Sequence, residues 1–249
     1  MNKSHWRIAI GLLLVSISAV IYVIHYLIFR NAHDIFFYMV MDIAFVFVQV
    51  LMVTLILDQL LQAREKKSLM QKLNMIIGVF FIEIGNDLLK RLAEFDTRIE
   101  QIRSDLRVNA QWSKKEFTSL TSRIKNYQHN MESRKSDLTT LKKLMLDKKE
   151  FMLRVLENPN LLEHEQFTDL LWAVLHLAEE LAARKTLAGL PEADYKHLSG
   201  DMQRAYATLI SEWLNYMTHL REFYPYLFSL AVRTNPFDPQ AVAEIQGEG

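Results

Sequence analysis

The sequence predicts an all-α membrane protein, in which an N-terminal transmembrane helical hairpin is followed by a cytoplasmic multi-helix bundle with long heptad-patterned helices. Two long apolar runs predict the hairpin, and apolar residues at helical spacing beyond them predict the bundle. Glycine and proline are scarce, at 7 and 5 residues, which disfavours turn-rich β folds. We expect a hairpin over residues 1–57, a helical domain over 58–233 and a flexible C-terminal tail over 234–249.

Two stretches, 8–29 and 35–57, are long enough to cross a bilayer. The first has no formal charge when His25 is neutral, and the second is interrupted only by Asp42 and Gln49. At a rise of about 1.5 Å per residue, each helix is roughly 33 Å long, which matches a hydrocarbon core of about 30 Å. The first stretch is too long for a cleaved signal peptide, so we interpret it as an uncleaved anchor.

Positive charges flank the two stretches and predict their orientation. The flanking cations are Lys3 and Arg7 before the first stretch, Arg30 between the two, and Arg64, Lys66, Lys67 and Lys72 after the second. Because cytoplasmic flanks carry the excess of Lys and Arg, we expect a multi-pass protein of the inner (cytoplasmic) membrane with both termini in the cytoplasm. The external connection, about residues 30–34, is too short for a ligand-binding domain.

Beyond the second span the sequence predicts helices with defined starts. A stretch of apolar residues at heptad-like spacing comprises Phe81, Leu88, Leu92, Phe95, Ile99, Ile102 and Leu106. Ser113-x-x-Glu116 is a capping box that opens another helix, and Ser136-Asp137 begins a further one. Asn158-Pro159-Asn160 marks a break.

The C-terminal part is predicted to be helical up to the tail. An amphipathic, Ala-rich helix over residues 167–185 is ended by the sequence Gly-Leu-Pro at 189–191. A long helix over about 192–223 follows, and Pro225 should stop or kink it. Residues 226–233 are predicted to form one more short helix.

Composition and charge exclude several classes of protein. The absence of cysteine rules out a disulfide framework, a thiolate nucleophile and a thiolate metal site. A formal net charge of zero and the lack of a basic–aromatic motif disfavour nucleic-acid binding. Residues 58–157 carry 20 Lys and Arg against 14 Asp and Glu, whereas residues 158–249 carry 6 against 13. One interpretation of this charge difference is that the two halves pack on each other or expose ordinary solvated faces. The other is that the basic half contacts anionic lipid headgroups, and both can hold at once.

Two stretches carry a resemblance to known proteins. The first is Leu-Asn-Met-Ile-Ile-Gly-Val-Phe-Phe at 73–81; the second runs from Glu212-Trp213 through Tyr-Pro-Tyr-Leu-Phe-Ser at 224–229 to Arg-Thr-Asn-Pro-Phe at 233–237. On these residues the chain resembles a group of uncharacterised bacterial membrane proteins with two N-terminal spans. The resemblance implies the same architecture over most of the chain, and it supplies no activity and no site residues.

Polar residues inside the spans form the first candidate site. Ser18 and His25 lie seven apart on the first span, and Asp42 and Gln49 lie seven apart on the second, so each pair shares a helix face. In an antiparallel hairpin, His25–Asp42 and Ser18–Gln49 are predicted to form hydrogen bonds that hold the hairpin or an oligomer together. Alternatively, these faces line an ion or proton path, which requires self-association because one hairpin encloses no pore.

Histidines and carboxylates spaced along the soluble helices form the second candidate site. The weak candidates for metal ligands are His176, Glu179, His197, Asp201, Glu212 and His219. Residues three or four apart share a helix face, and carboxylate–histidine clusters inside a bundle can hold metals. Here the acid follows the histidine, unlike the usual Glu-x-x-His order. Exposed or capped polar side chains are therefore the favoured interpretation, and no cofactor is expected.

The favoured functional hypothesis is a non-enzymatic, membrane-anchored helical assembly or scaffold protein at the cytoplasmic face. Its expected partners are the lipid bilayer and either further copies of the chain or another membrane protein. The alternative is a small oligomeric ion channel or pore formed by the hairpins, and a metal-binding helical-bundle enzyme is third. The sequence contains no phosphate-binding glycine loop, His-Glu-x-x-His motif or nucleophile elbow.

Overall fold

The chain has two compact units, Met1–Lys66 and Lys67–Gly249. The computed structural model describes residues 3–125 and 127–244. Within these described ranges, extended pairing is limited to one isolated antiparallel bridge between Asp96 and Met131, and the regular structure is otherwise helical. The prediction of an all-α fold is therefore confirmed.

The first unit holds α1 (Lys3–Phe29) and the first part of α2 (Ala32–Phe80). The chain leaves α1 at Arg30, whose φ of 50° lies in the left-handed region. α2 starts after Asn31, whose side-chain oxygen accepts a hydrogen bond from the N–H two residues later at 3.1 Å. The link between the helices is therefore two residues long, shorter than the connection predicted over 30–34.

Both helices of the first unit expose apolar side chains along their length. The most apolar window of Ile8–Phe29 has a mean hydropathy of 2.4, that of α2 reaches 2.5, and neither window contains a buried residue. An apolar helix in the core of a soluble protein would instead be covered by its own chain. The structure thus contains two helices long and apolar enough to span a membrane.

The second unit is a bundle arranged around one long helix. Its elements are the end of α2, a π-helical turn (Phe81–Gly85), α3 (Asn86–Ala93), α4 (Glu100–Leu106), α5 (Lys114–Lys125), α6 (Leu138–Asp147), α7 (Lys149–Leu156), a 3-10 turn (Pro159–Glu163), α8 (Glu165–Ala183), α9 (Glu192–Phe223) and α10 (Pro225–Arg233). α9 packs against α3, α5, α8 and α10, so its apolar side chains form the middle of the core.

Three predicted helix signals agree with the structure, namely the capping box, the start of α6 and the bounds of the long helix. The Ser113 N–H donates to Oε2 of Glu116 at 2.5 Å, and the Glu116 N–H donates to Oγ of Ser113 at 3.4 Å, which confirms the capping box. Asp137 caps α6 by accepting a hydrogen bond from the Thr139 N–H at 2.8 Å. α9 has the bounds predicted for the long helix, because Pro191 and Pro225 flank it.

The heptad-spaced residues over 81–106 do not lie on one continuous helix. All of them are buried, but a turn between α3 and α4 separates them. At this turn the Thr97 N–H donates to the Asn130 carbonyl at 3.0 Å, and the Glu132 N–H donates to the Phe95 carbonyl at 2.9 Å. Backbone N–H and C=O groups that would form hydrogen bonds within a helix bind a distant segment instead. The heptad-spaced residues are therefore divided between separate helices, which end at Ala93 and begin again at Glu100.

The first part of the predicted flexible tail is packed against the bundle. Phe237 is fully buried, with its ring 5.2 Å from that of Trp213. Asn235 is also buried and donates from Nδ2 to the Leu106 carbonyl at 2.8 Å. The predicted start of the flexible tail at Thr234 is therefore corrected, because the chain is packed against the bundle as far as Phe237. Residues 245–249 lie outside the described ranges.

Candidate functional site

The four polar residues predicted inside the spans lie on α1 and α2. Ser18, Asp42 and Gln49 are exposed, whereas His25 is partly covered, with its ring 4.7 Å from that of Phe29. Nδ1 of His25 is buried and has no hydrogen-bond partner within the described ranges. Among the described residues of a single chain, neither predicted pair forms a hydrogen bond, so their pairing in an assembled protein stays a prediction.

Four side chains of the kind that bind metals meet where α8 packs against α9. His176 and Glu180 lie on α8, and His197 and Asp201 lie on α9. Each helix contributes a histidine and, four residues later, a carboxylate, a spacing that puts both on one helix face. His176 lies near Asp201 and His197 lies near Glu180, so the two helices run antiparallel here.

The nitrogens and oxygens of this histidine–carboxylate cluster converge. Nε2 of His176 lies 3.7 Å from Oδ2 of Asp201 and 3.9 Å from Oε1 of Glu180. Nε2 of His197 lies 3.3 Å from the same oxygen of Asp201 and 3.6 Å from Oε2 of Glu180. One ligand atom from each residue lies within 4.8 Å of all the others. The arrangement can share a proton among its groups or hold a cation.

Asp201 forms the floor of the cluster. Its side chain is 2% exposed, whereas those of His176 and His197 are about half exposed. Oδ1 of Asp201 accepts a hydrogen bond from Arg204, one turn further along α9. Oδ2 faces both imidazoles, yet it is buried without a hydrogen-bond partner in the described chain. A buried carboxylate oxygen is costly to leave without a partner, so Oδ2 is suited to receive one.

Arg184 holds the second carboxylate of the cluster in place. Its Nη1 donates to Oε2 of Glu180 at 2.7 Å, and its other nitrogens donate to Asp194 in the first turn of α9. The hydrogen bond from Arg184 lowers the pKa of Glu180, and the nearby His197 and His176 act in the same direction. Glu180 is therefore ionised at neutral pH, as a metal ligand must be.

The sequence predicted three of these four residues and missed Glu180. Glu179 lies three residues after His176, and its carboxylate forms an ion pair with Lys149 instead. The signal for Glu180 was present in the sequence, since His176-x-x-x-Glu180 has the same spacing as His197-x-x-x-Asp201.

The remaining candidates, Glu212 and His219, lie outside the cluster. Glu212 is buried and accepts a hydrogen bond from Asn215 at 3.1 Å; burial raises its pKa, although His164 and Asn215 partly offset the effect. The ring of His219 lies 4.8 Å from that of Phe223, and burial lowers the pKa of His219. Neither residue is placed to join the cluster on α8 and α9.

A cavity of about 320 Å³ lies further along α9, between α5 and α8. Glu212 and His129 line it, together with Gln166, Asp169 and Ser211. Nδ1 of His129 donates to Oδ2 of buried Asp96 at 3.3 Å, across 33 residues of sequence, a contact that no local spacing indicates.

The fold and these sites define a class of all-helical proteins with two apolar N-terminal helices and a helical bundle that carries a histidine–carboxylate cluster. Residues 69–233 match the family described as the C-terminal helical domain of uncharacterized protein MJ1433, and residues 2–61 match its N-terminal helical domain. The chain belongs to this family. It is 44% identical over 242 residues to uncharacterized protein MJ1433 of Methanocaldococcus jannaschii, an alignment that covers 97% of each chain.

These comparisons support the two-part helical architecture and assign no activity. The relative is archaeal, so they do not support the bacterial part of the resemblance drawn from the sequence. Neither the family descriptions nor the name of the relative refers to a membrane. No solved structure matches the chain.

Proposed function

We propose that the chain is a two-span membrane protein, with both termini in the cytoplasm, whose helical unit serves as an assembly platform at the cytoplasmic face. The observation that carries this proposal is the exposure of two helical stretches whose mean hydropathies reach 2.4 and 2.5 and which contain no residue buried by their own chain. Soluble monomers rarely expose contiguous apolar patches larger than a few hundred Å². A bilayer covers such helices without any further protein contact.

The orientation rests on the distribution of cations along the sequence. Lys3 and Arg7 precede the first span, and Arg64, Lys66 and Lys67 follow the second, whereas the link contains Arg30 alone. The positive-inside rule then leaves both termini and the whole second unit on the cytoplasmic side. The basic residues after the second span also fit a position next to anionic headgroups, where each cation contributes about 1 kcal/mol.

Self-assembly is supported by the polar residues of the spans. Asp42 and Gln49 are exposed on α2, and no hydrogen bond joins either side chain to another described residue of a single chain. An unpaired carboxylate inside the bilayer costs several kcal/mol, so Asp42 would gain from a partner on a second copy. Polar contacts of this kind stabilise helix association in membranes by about 1 kcal/mol.

Two measurements test the proposal. The protein should sediment with membranes and resist extraction by alkaline carbonate, and protease added outside intact cells should leave the C-terminal unit uncut. Its mass in detergent should be a multiple of the chain mass of 29.2 kDa, and Asp42→Leu should shift it toward the monomer. Recovery in a membrane-free extract would overturn the anchor, and a monodisperse monomer without a co-purifying membrane protein would overturn the assembly role.

The same unpaired residues favour a pore as the second candidate. In an oligomer, Asp42, Gln49 and His25 could face a shared axis and provide a path for cations. Purified protein in liposomes would then pass ions, and Asp42→Asn would change the flux. Silent bilayers from a well-formed oligomer would remove this candidate and leave the assembly role intact.

A further inference from the structure

We infer that His176, Glu180, His197 and Asp201 form a binding site for one divalent first-row transition metal ion, such as zinc, that links α8 to α9. The inference goes beyond the assembly role and does not depend on the membrane anchor. It rests on the geometry of the cluster, on the burial of Asp201 and on the chemistry of the four ligands.

The contacts between histidine nitrogens and carboxylate oxygens are close in length to those around a tetrahedral ion. Four ligands at about 2.1 Å from a zinc ion lie roughly 3.4 Å from one another. The four contacts between imidazole nitrogens and carboxylate oxygens range from 3.3 to 3.9 Å. One ligand atom from each of the four residues lies within 4.8 Å of the others, so an ion at their centre requires side-chain rotations that bring these atoms closer together.

Asp201 provides an independent indication of a ligand. Its carboxylate is 98% buried, and Oδ2 faces both imidazoles without a hydrogen-bond partner among the described residues. The other oxygen, Oδ1, is held by Arg204, which fixes the direction of Oδ2. A metal ion bound to Oδ2 would satisfy this buried atom, and it would leave the Arg204 contact in place as support from outside the site.

The ligand set selects the class of metal. Two imidazoles and two carboxylates form a mixed nitrogen–oxygen site. Such a site suits zinc and neighbouring first-row divalent ions better than it suits calcium or magnesium, which prefer oxygen ligands alone. The two carboxylates also supply the two negative charges that a divalent ion needs; Arg204 binds Oδ1 of Asp201, and Arg184 binds Oε2 of Glu180. Four protein ligands leave no open position, which is typical of a structural site.

The competing interpretation is a set of ion pairs between protonated histidines and carboxylates. Such pairs would produce similar distances at low pH, but they would not bind a metal with a defined stoichiometry. Metal binding and ion pairing are therefore distinguished by adding the metal alone.

The experiment uses the full-length, tag-free protein in detergent, stripped with a chelator and then titrated with zinc or cobalt(II). We expect one zinc per chain after desalting, a rise in Tm on binding, and the intense visible absorption of tetrahedral cobalt. Loss of metal to the chelator should reverse the rise in Tm.

Variants locate the site. His176→Ala and His197→Ala remove half-exposed side chains, so both variants should fold, and each should bind zinc at least tenfold more weakly and lose the cobalt spectrum. Glu179→Ala and His219→Ala are the matched controls, because they remove the adjacent carboxylate and a histidine outside the cluster; both should bind zinc like the wild type. Circular dichroism of all four variants checks the fold.

Two results would overturn the inference. One is a wild-type protein that binds neither zinc nor cobalt at one ion per chain. The other is zinc binding that His176→Ala and His197→Ala leave unchanged. Since none of these readouts measures membrane insertion or oligomer mass, failure here is distinguishable from failure of the proposed assembly role.

Discussion

Arg184 and Asp194 form a two-point ion pair across the turn between α8 and α9. Nε of Arg184 donates to Oδ2 of Asp194 at 2.9 Å, and Nη2 donates to Oδ1 at 2.5 Å. The planar guanidinium matches the two carboxylate oxygens, so the pair fixes both distance and direction. Because Arg184 also donates to Glu180, this pair links the turn to the histidine–carboxylate cluster.

Replacing Asp194 with Asn should lower the Tm by a few degrees, because the amide cannot accept both charged hydrogen bonds from Arg184. The matched control is Glu192→Gln two residues earlier, since the pair between Glu192 and Arg134 is more exposed, with the Glu192 side chain 78% accessible. Exposed pairs of this kind contribute little. Thermal melts in detergent should therefore separate the two variants, and equal Tm values would contradict the importance of the Arg184 pair.

Asp96 should make the protein lose stability in acid. Burial by itself raises the pKa of Asp96, but hydrogen bonds from His129 and from the N–H groups of Arg98 and Asn130 together outweigh burial and lower it. A carboxyl group with a lowered folded pKa stabilises the fold above its unfolded pKa, near 3.8, and this contribution is lost as the pH falls through the folded value.

Asp96→Asn should therefore reduce the free energy of unfolding by about 1–3 kcal/mol at pH 7, and the difference from the wild type should shrink below pH 4. Denaturant titrations at several pH values measure both effects. The control is Asp87→Asn on the exposed side of α3, for which no comparable loss is expected. A constant difference across the pH range would show that the charge of Asp96 does not contribute.

Glu212 should have the opposite pH dependence. Burial raises its pKa, so the folded protein holds a proton that the unfolded chain releases. Stability is then highest below the unfolded pKa of about 4.5, falls as the pH rises, and levels off above the raised folded pKa.

Glu212→Gln removes this dependence, because the amide does not titrate. The variant should resemble the wild type at pH 4 and exceed its Tm increasingly as the pH rises, until the difference levels off above the raised folded pKa. Glu222→Gln on the exposed side of the same helix is the control, and its melting profile should follow that of the wild type. A Glu212→Gln variant whose Tm falls relative to that of the wild type as the pH rises would contradict a raised pKa for Glu212.

Gly85 should not tolerate a methyl group. A Cβ atom there would lie 2.5 Å from Cδ1 of Phe81 and 3.0 Å from Cε1 of Phe80, and both rings are fully buried. Gly85→Ala should therefore cost about 2 kcal/mol through overpacking. At Gly78 the nearest atom, Cε2 of Tyr216, would be 3.5 Å away, so Gly78→Ala should be neutral or slightly stabilising. Comparable melting curves for the two variants would exclude the close approach at Gly85.

Local features of the fold were predictable because their causes lie within a few residues along the chain. The two apolar helices follow from composition, the start of α5 follows from the pair Ser113 and Glu116, and the bounds of α9 follow from the prolines on either side. In each of these examples the structure is decided either by contacts between residues at most four positions apart or by the composition of the stretch itself.

The tertiary structure decided which of several locally equivalent residues are used. Only the packing of α8 on α9 brings His176 to Asp201, 25 positions later, and turns Glu180 rather than Glu179 toward them. The break in the heptad stripe between α3 and α4 likewise accompanies the pairing of residues 95–97 with the segment after α5, which is distant in sequence. Periodicity assigns a residue to a face of its helix. The residues that this face contacts depend on how the whole chain packs, and a local sequence pattern does not contain that information.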